Sequence, residues 1–234
     1  MTAGGEPDGR GGPHAFVTDV DRPELSDDDR HHLARSLRLR DGDPLTVADG
    51  QGRWRRCRFG AALAVDGDVV MVDAPSPALT VAFALVKGAR PDLVVQKLTE
   101  LGIDHIAVFA AERSVVRWDE AKVRVQCERL TRVAREAAMQ CRRAWLPQLE
   151  VPADLRELVT RAGSAMADFD GGPVTAEHRV VLIGPEGGWT ETERALGRDS
   201  VRLGRHVQRA ETAAISAAVQ LAIRRDPVVA IGTE

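Results

Sequence analysis

The sequence predicts two domains of different class: a small β-barrel carrying one helix, then an α/β domain built on a parallel sheet. Three observations predict this. The turn dipeptides Asp41-Gly42, Asp49-Gly50 and Asp66-Gly67 separate short β-rich runs in the first third, with glycine supplying the positive φ that hairpins need. An Ala-Pro-Ser-Pro stretch, residues 74–77, reads as a stiff linker and a boundary. Beyond it, apolar strand-like runs alternate with helical periodicity, the pattern of βαβ units.

Taken in order, residues 1–13 are Gly-rich and polar and are expected to form a disordered tail, with structure starting near His14. Residues 14–74 form the barrel domain. Its strands are Leu45–Ala48, Trp54–Phe59 and Val69–Val72. Ser26 with Asp29 caps its helix, and Leu33, Leu37 and Leu39 follow. The second domain runs over 78–234. Val81–Val86 is a strand, and Pro91 sits in a first helical turn that tolerates it. Leu93, Val94, Lys97, Leu98 and Leu101 share a helical face, Gly102 ends that helix, and Ile106–Phe109 is the next strand. A long amphipathic helix at Asp119–Cys141 and a helix at Asp154–Arg161 precede strands near Ala165–Asp168 and Val180–Ile183. Thr190 and Glu193 make a capping box, strand Val201–Leu203 follows, and an Ala-rich helix, Ala213–Arg224, ends the pattern.

A 44 % hydrophobic composition supports a sizeable core, and a net charge of −3 argues against a polycation that coats nucleic acid indiscriminately. The three cysteines, Cys57, Cys127 and Cys141, show no CxxC spacing, so neither a disulfide framework nor a metal site is expected. No apolar run is long enough for a membrane span and the N-terminal stretch lacks an apolar signal region, which predicts a cytoplasmic location and no membrane partner.

Two constellations carry chemistry. In residues 180–189, VVLIGPEGGW, an apolar strand runs into a glycine-rich turn and a capped helix; glycine lets backbone groups approach a ligand closely. The stretch matches neither GxGxxG nor GxxxxGK[ST], so an ordinary dinucleotide or P-loop site is disfavoured. In residues 201–222, a second strand ends at Leu203-Gly204, and a polar loop enters a helix of small residues through Glu211 and Thr212. Each alone also reads as a steric turn. Together they suggest a ligand cleft at the carboxyl ends of two neighbouring parallel strands.

These residues resemble the RsmE family, the ribosomal RNA uridine-N3 methyltransferases of the SPOUT superfamily. Lys97 to Gly102, Glu112-Arg113-Ser114, and Gln140 to Arg143 with Pro147 match further, so the resemblance spans about His14 to Arg224. It implies a homodimer acting on small-subunit ribosomal RNA or the assembled small subunit. The fold would be a PUA-like barrel followed by a SPOUT-type α/β domain whose C-terminal part forms a deep trefoil knot. It also implies S-adenosylmethionine bound by Leu182, Ile183, Gly184, Pro185, Gly187 and Gly188, with Leu203, Gly204, Val207 and Arg209 opposite.

Methylating uracil N3 requires loss of its proton and an aligned methyl donor. Arg209 is placed to stabilise the uracil anion and Glu211 to accept the proton. RNA contacts are assigned to Arg35, Arg38, Arg55, Arg113 and Arg143, and the run from Arg53 to Arg58 interleaves Trp54 with basic groups. The chain departs from the family at His206, Ala210 and Met139, where arginine, threonine and glutamate are usual, and has Gln208 in the same loop. Those departures keep open a second reading, an RNA-binding protein of this fold without turnover; a nucleotide-binding α/β enzyme is a third.

Overall fold

In the computed structural model, which describes residues 2–85 and 90–226, the chain divides into two units. The first comprises residues 1–75 and 135–146, the second 76–134 and 147–234. Val86, expected to end the first strand of the α/β domain, lies outside the described residues, as do Met1 and residues 227–234.

The first unit holds β1 (Thr2–Ala3), β2 (His14–Phe16), α1 (Asp27–His31), β3 (Pro44–Ala48), β4 (Arg53–Arg58), β5 (Ala64–Val65) and β6 (Val70–Met71). They form one mixed sheet in the order β1-β6-β4-β3-β2, with β5 paired to β4. Gly50, at φ +75°, turns β3 back onto β4. The strand alternation of β3 and β4 sends Leu45, Val47 and Cys57 into a core with Ala15, Leu33 and Phe59. Ala48 and Trp54 join a second cluster with Phe16, Ala138 and Ala144.

Three expectations need correction here. Residues 2–13 are not a disordered tail: β1 pairs in parallel with β6, the Trp54 indole donates to the Gly5 carbonyl at 3.0 Å, and the Glu6 carboxylate accepts from the Ala144 N–H at 2.5 Å. Leu37 is 48 % exposed, because the backbone widens to a π-helical turn at His32–Ser36 and rotates it off the Leu33 face. The unit also does not stop near residue 74, since residues 135–146 complete it. Arg135 donates to both carboxylate oxygens of Asp29, at 2.9 and 2.6 Å, and Met139 packs on the apolar clusters where glutamate is usual.

The second unit holds β7 (Thr80–Ala84), α2 (Arg90–Glu100), β8 (His105–Phe109), α3 (Glu120–Cys141), β9 (Gln148–Ala153) and α4 (Leu155–Leu158). Then come β10 (Ser164–Pro173), β11 (Val180–Ile183), α5 (Glu191–Arg194), β12 (Ser200–Arg202) and α6 (Ala210–Arg225). The last two turns of α3 belong to the first unit. Six parallel strands run in the order β12-β10-β11-β7-β8-β9.

Both faces are buried, as an all-parallel sheet requires. Val81, Phe83, Ile106, Val108, Val181 and Ile183 meet α2, α3 and α6 on one side. Ala82, Ala84, Ala107, Phe109 and Leu182 meet Leu158, Val159 and Trp189 on the other. Helix α6 buries Ala213, Ala214, Ala217 and Ala218, whose small side chains let it pack close. On α2 the buried face is Val94, Val95 and Leu98, one position away from the expected stripe, and Leu93 is 42 % exposed. Strand β9 was not anticipated, and α4 is one turn where eight residues were expected. Among the described residues, no helix is long and apolar enough to cross a membrane.

Candidate functional site

The two glycine-bearing loops do follow parallel strands, but those strands are not neighbours. Strand β10 lies between β11 and β12, pairing with both. The cleft is therefore three strands wide, and the end of β10 supplies Ala167, Asp168 and Phe169 to its wall. Its volume is about 270 Å³. Order along a parallel sheet is set by crossovers, which local patterning does not encode.

The first loop is braced from several sides. Strand β11 buries Ile183, and the turn closes through the Gly188 N–H on the Pro185 carbonyl at 2.8 Å. Gly188 adopts φ +70°, costly for any residue with a Cβ. Trp189 stacks on Phe109 with centroids 5.9 Å apart and donates from its indole to the Ala167 carbonyl at 2.9 Å. The expected capping box is present: Thr190 Oγ1 accepts from the Glu193 N–H, and the Glu193 carboxylate from the Thr190 N–H. Arg113 donates to the Gly187 and Trp189 carbonyls, at 3.1 and 3.3 Å.

The second loop is held more sparsely. Arg202 donates to the carbonyls of Gly204 and Arg205, at 3.0 and 3.1 Å, and Gln220 to that of Leu203 at 3.1 Å. Helix α6 begins at Ala210, earlier than expected, so Arg209 is its N-cap residue and Glu211 lies in its first turn. Among the described residues, two buried acceptors, Gln208 Oε1 and Glu211 Oε2, have no hydrogen-bond partner. A buried carboxylate or amide oxygen without a donor is costly, and a ligand donor would relieve it.

Arg90, at the start of α2, ties the loops together. Its guanidinium lies 2.7 Å from Glu186 in the first loop and 3.7 Å from Glu211 at the second. Sequence reasoning missed it, because nothing local marks an arginine before Pro91 as a brace.

Of the expected cofactor residues, Ile183, Gly184, Pro185, Gly188, Leu203, Gly204 and Val207 line the cleft. Leu182 is fully buried in the core on the far side of the sheet, Gly187 lies against Arg113, and the exposed Arg209 stands at the α6 N-terminus. Phe169, Trp189, Arg194, Arg202 and Gln208 line it too; of these, Phe169 and Arg194 lie outside the two stretches singled out from sequence. The cleft thus offers an apolar wall (Ile183, Leu203, Ala213), a glycine-framed backbone and one orphaned acceptor, Gln208 Oε1, while Glu211 lies outside its lining in the first turn of α6. That lining suits a ligand with an apolar body and hydrogen-bond donors.

The expected RNA contacts divide. Arg35 and Arg38 are exposed on the first unit. Arg55 spends its guanidinium on the carbonyls of Val20 and Gly67, and Arg113 braces the first loop. Arg143 is only 9 % exposed, so burial removes it from a surface role. Trp54 is buried, and Arg53, Arg56 and Arg58 pair with Asp21, Asp8 and Asp66, so the basic run is neutralised in place.

Residues 74–222 match the model of an RNA methyltransferase domain, and residues 25–62 that of an RNA methyltransferase PUA domain. The chain belongs to the ribosomal RNA small subunit methyltransferase E family. The family member from Synechocystis is 32 % identical over 215 residues, covering 82 % of this chain and 69 % of its own. That from Mycobacterium bovis is 33 % identical over 211 residues, covering 80 % of each. The solved structure of the Neisseria gonorrhoeae family member, bound to S-adenosylmethionine, superposes with a TM-score of 0.74 at 25 % identity. It covers 88 % of this chain and 94 % of that one.

Proposed function

We propose that this chain is an S-adenosylmethionine-dependent methyltransferase that methylates N3 of one uridine in small-subunit (16S) ribosomal RNA. The observation that carries this reading is the cleft at the ends of β10, β11 and β12, with its preformed glycine-rich turn and, at Gln208 Oε1, an acceptor without a partner among the described residues, in a chain of this family. S-adenosylmethionine, when bound, supplies a methyl group on a sulfonium, open to in-line attack.

The chain's residues then do the rest. The backbone of Ile183 to Gly188 and of Leu203 to Val207 holds the donor, with Leu182 and Gly187 supporting the first loop from behind. Arg209 forms no ion pair or hydrogen bond through its side chain among the described residues, which leaves its charge for the uracil anion. Glu211, held by Arg90 on one oxygen, has the other available to accept the N3 proton. Arg35 and Arg38 contact RNA phosphates on the first unit.

The same reading includes a trefoil knot in the second unit, a cytoplasmic location and a homodimer. Exposed Leu93 on α2 and Val219 and Ile223 on α6, two helices packed together, supply an apolar surface for the dimer. Mass spectrometry of 16S ribosomal RNA from cells lacking the protein tests the function: N3-methyluridine is expected to vanish and to return on complementation. An unchanged nucleoside profile, or no S-adenosylmethionine binding by calorimetry, refutes it and favours a silent RNA-binding protein.

A further inference from the structure

The end of β10 carries a built feature that methyl transfer does not use. Its pairing with β12 slips: both Ala167 and Gly172 align with Val201, so residues 168–171 bulge out of the ladder at the cleft. Gly171 makes the bulge possible, since a Cβ there would lie 2.6 Å from the Val201 backbone. The bulge turns Phe169 outward, where it is 50 % exposed. Arg202, the last residue of β12, places its guanidinium carbon 4.3 Å from the centroid of that ring. Two main-chain carbonyls, of Gly204 and Arg205, fix the guanidinium, and no carboxylate lies within ion-pair distance among the described residues. Both side chains line the cleft.

From this we infer that Phe169 and Arg202 form a stacking platform for an unpaired base of the RNA substrate at the mouth of the cleft. The inference rests on the proposed RNA methyltransferase reading. A half-exposed ring and a flat, anchored cation give a base two planar surfaces, and every base has a π face to offer. The uncompensated charge selects among ligands. It attracts the phosphates that flank a base, whereas the methyl donor, with a sulfonium and an ammonium against one carboxylate, is net positive and gains less from it.

The test measures binding, not turnover. Fluorescence anisotropy compares labelled single-stranded oligouridylate with an oligomer of the same length that lacks bases. Wild type is expected to prefer oligouridylate. Phe169→Ala should weaken that binding by about tenfold, the order expected for one stacked base, and abolish the preference. Phe169→Leu, which keeps the apolar volume without the π face, should behave likewise, and unchanged circular dichroism shows that both variants fold. Arg202→Lys should keep affinity for the abasic oligomer while losing preference for bases, and Arg202→Ala should weaken both. Calorimetry should give Phe169→Leu, which keeps the volume of the cleft wall, the wild-type affinity for S-adenosylmethionine, while the Arg202 variants, which lose a brace of the second loop, are compared on the oligomers alone.

A wild type without base preference overturns the platform, as does a Phe169→Leu variant that retains it. Loss of cofactor affinity with base preference intact assigns the pair to the cofactor and overturns it too. Failure of the methyltransferase reading shows separately, as no methyl transfer by wild type to small-subunit ribosomal RNA.

Discussion

The two loops of the cleft follow parallel strands and open onto helices, yet they are built on different terms. The first is finished before any ligand arrives: an indole stacked on Phe109, a reciprocal capping box, and an arginine on two of its carbonyls. The second, among the described residues, keeps two buried acceptors unsatisfied and leaves Val207 86 % exposed. A site of this kind separates a rigid cradle from a loop that its ligands complete, and the unsatisfied half is where catalytic residues are expected.

The largest test of this contrast removes the brace. Trp189→Ala empties a buried site and should cost about 3–5 kcal/mol in urea unfolding; a loss well under that range would mean the first loop does not depend on its indole. Next comes the second loop. Arg209→Ala should lower methyl transfer by roughly 10²–10³-fold with cofactor affinity nearly unchanged, as for removal of one charge-stabilising group. Equal losses in rate and in calorimetric affinity would make Arg209 a binding residue instead.

Acid separates loop effects from general unfolding. Burial lowers the His14 pKa from 6.5 to about 4, while its ring nitrogens engage Thr46 Oγ1 and the Arg143 carbonyl. The native state holds the neutral ring and the unfolded chain takes up the proton. Stability is therefore complete above about pH 6.5 and is lost as pH falls toward 4, by up to about 1.4 kcal/mol per unit. Urea midpoints measured across that range should fall, and His14→Gln should flatten the curve; a flat wild-type curve contradicts the assignment.

The smallest effect belongs to the tie between the loops. Arg90→Ala breaks partly exposed ion pairs and should raise the KM for S-adenosylmethionine about two- to fivefold, with Arg90→Lys recovering part of it. Loss of kcat alone would place Arg90 in the chemistry.

How legible these features were depends on how local they are. Ser26 and Asp29, Thr190 and Glu193, and the glycine turn after β11 are written within a few residues of one another, and the structure shows both caps. The insertion of β10 between β11 and β12 is a property of sheet order, which no window of sequence contains. The bidentate contact of Arg135 with Asp29 joins residues 106 positions apart, which no local pattern encodes. The burial of Arg143 was hidden for a similar reason: a basic side chain is taken as exposed until its neighbours are known. Leu37 failed because one π-helical turn shifts phase, and a strict 3.6-residue count does not see it.

The discontinuity of the first unit bears on how the protein is made. Residues 1–75 leave the ribosome without Arg135, the partner of Asp29, and without Ala138 and Ala144, which close the cluster around Trp54. Those residues emerge about 60 positions later, several seconds at roughly 5–20 residues per second. The amino-terminal unit is thus synthesised first and finished late, and α3 must be translated to its end before either unit has all its parts. No single cut of the chain yields the first unit whole, so its folding and that of the catalytic unit are scheduled by one helix.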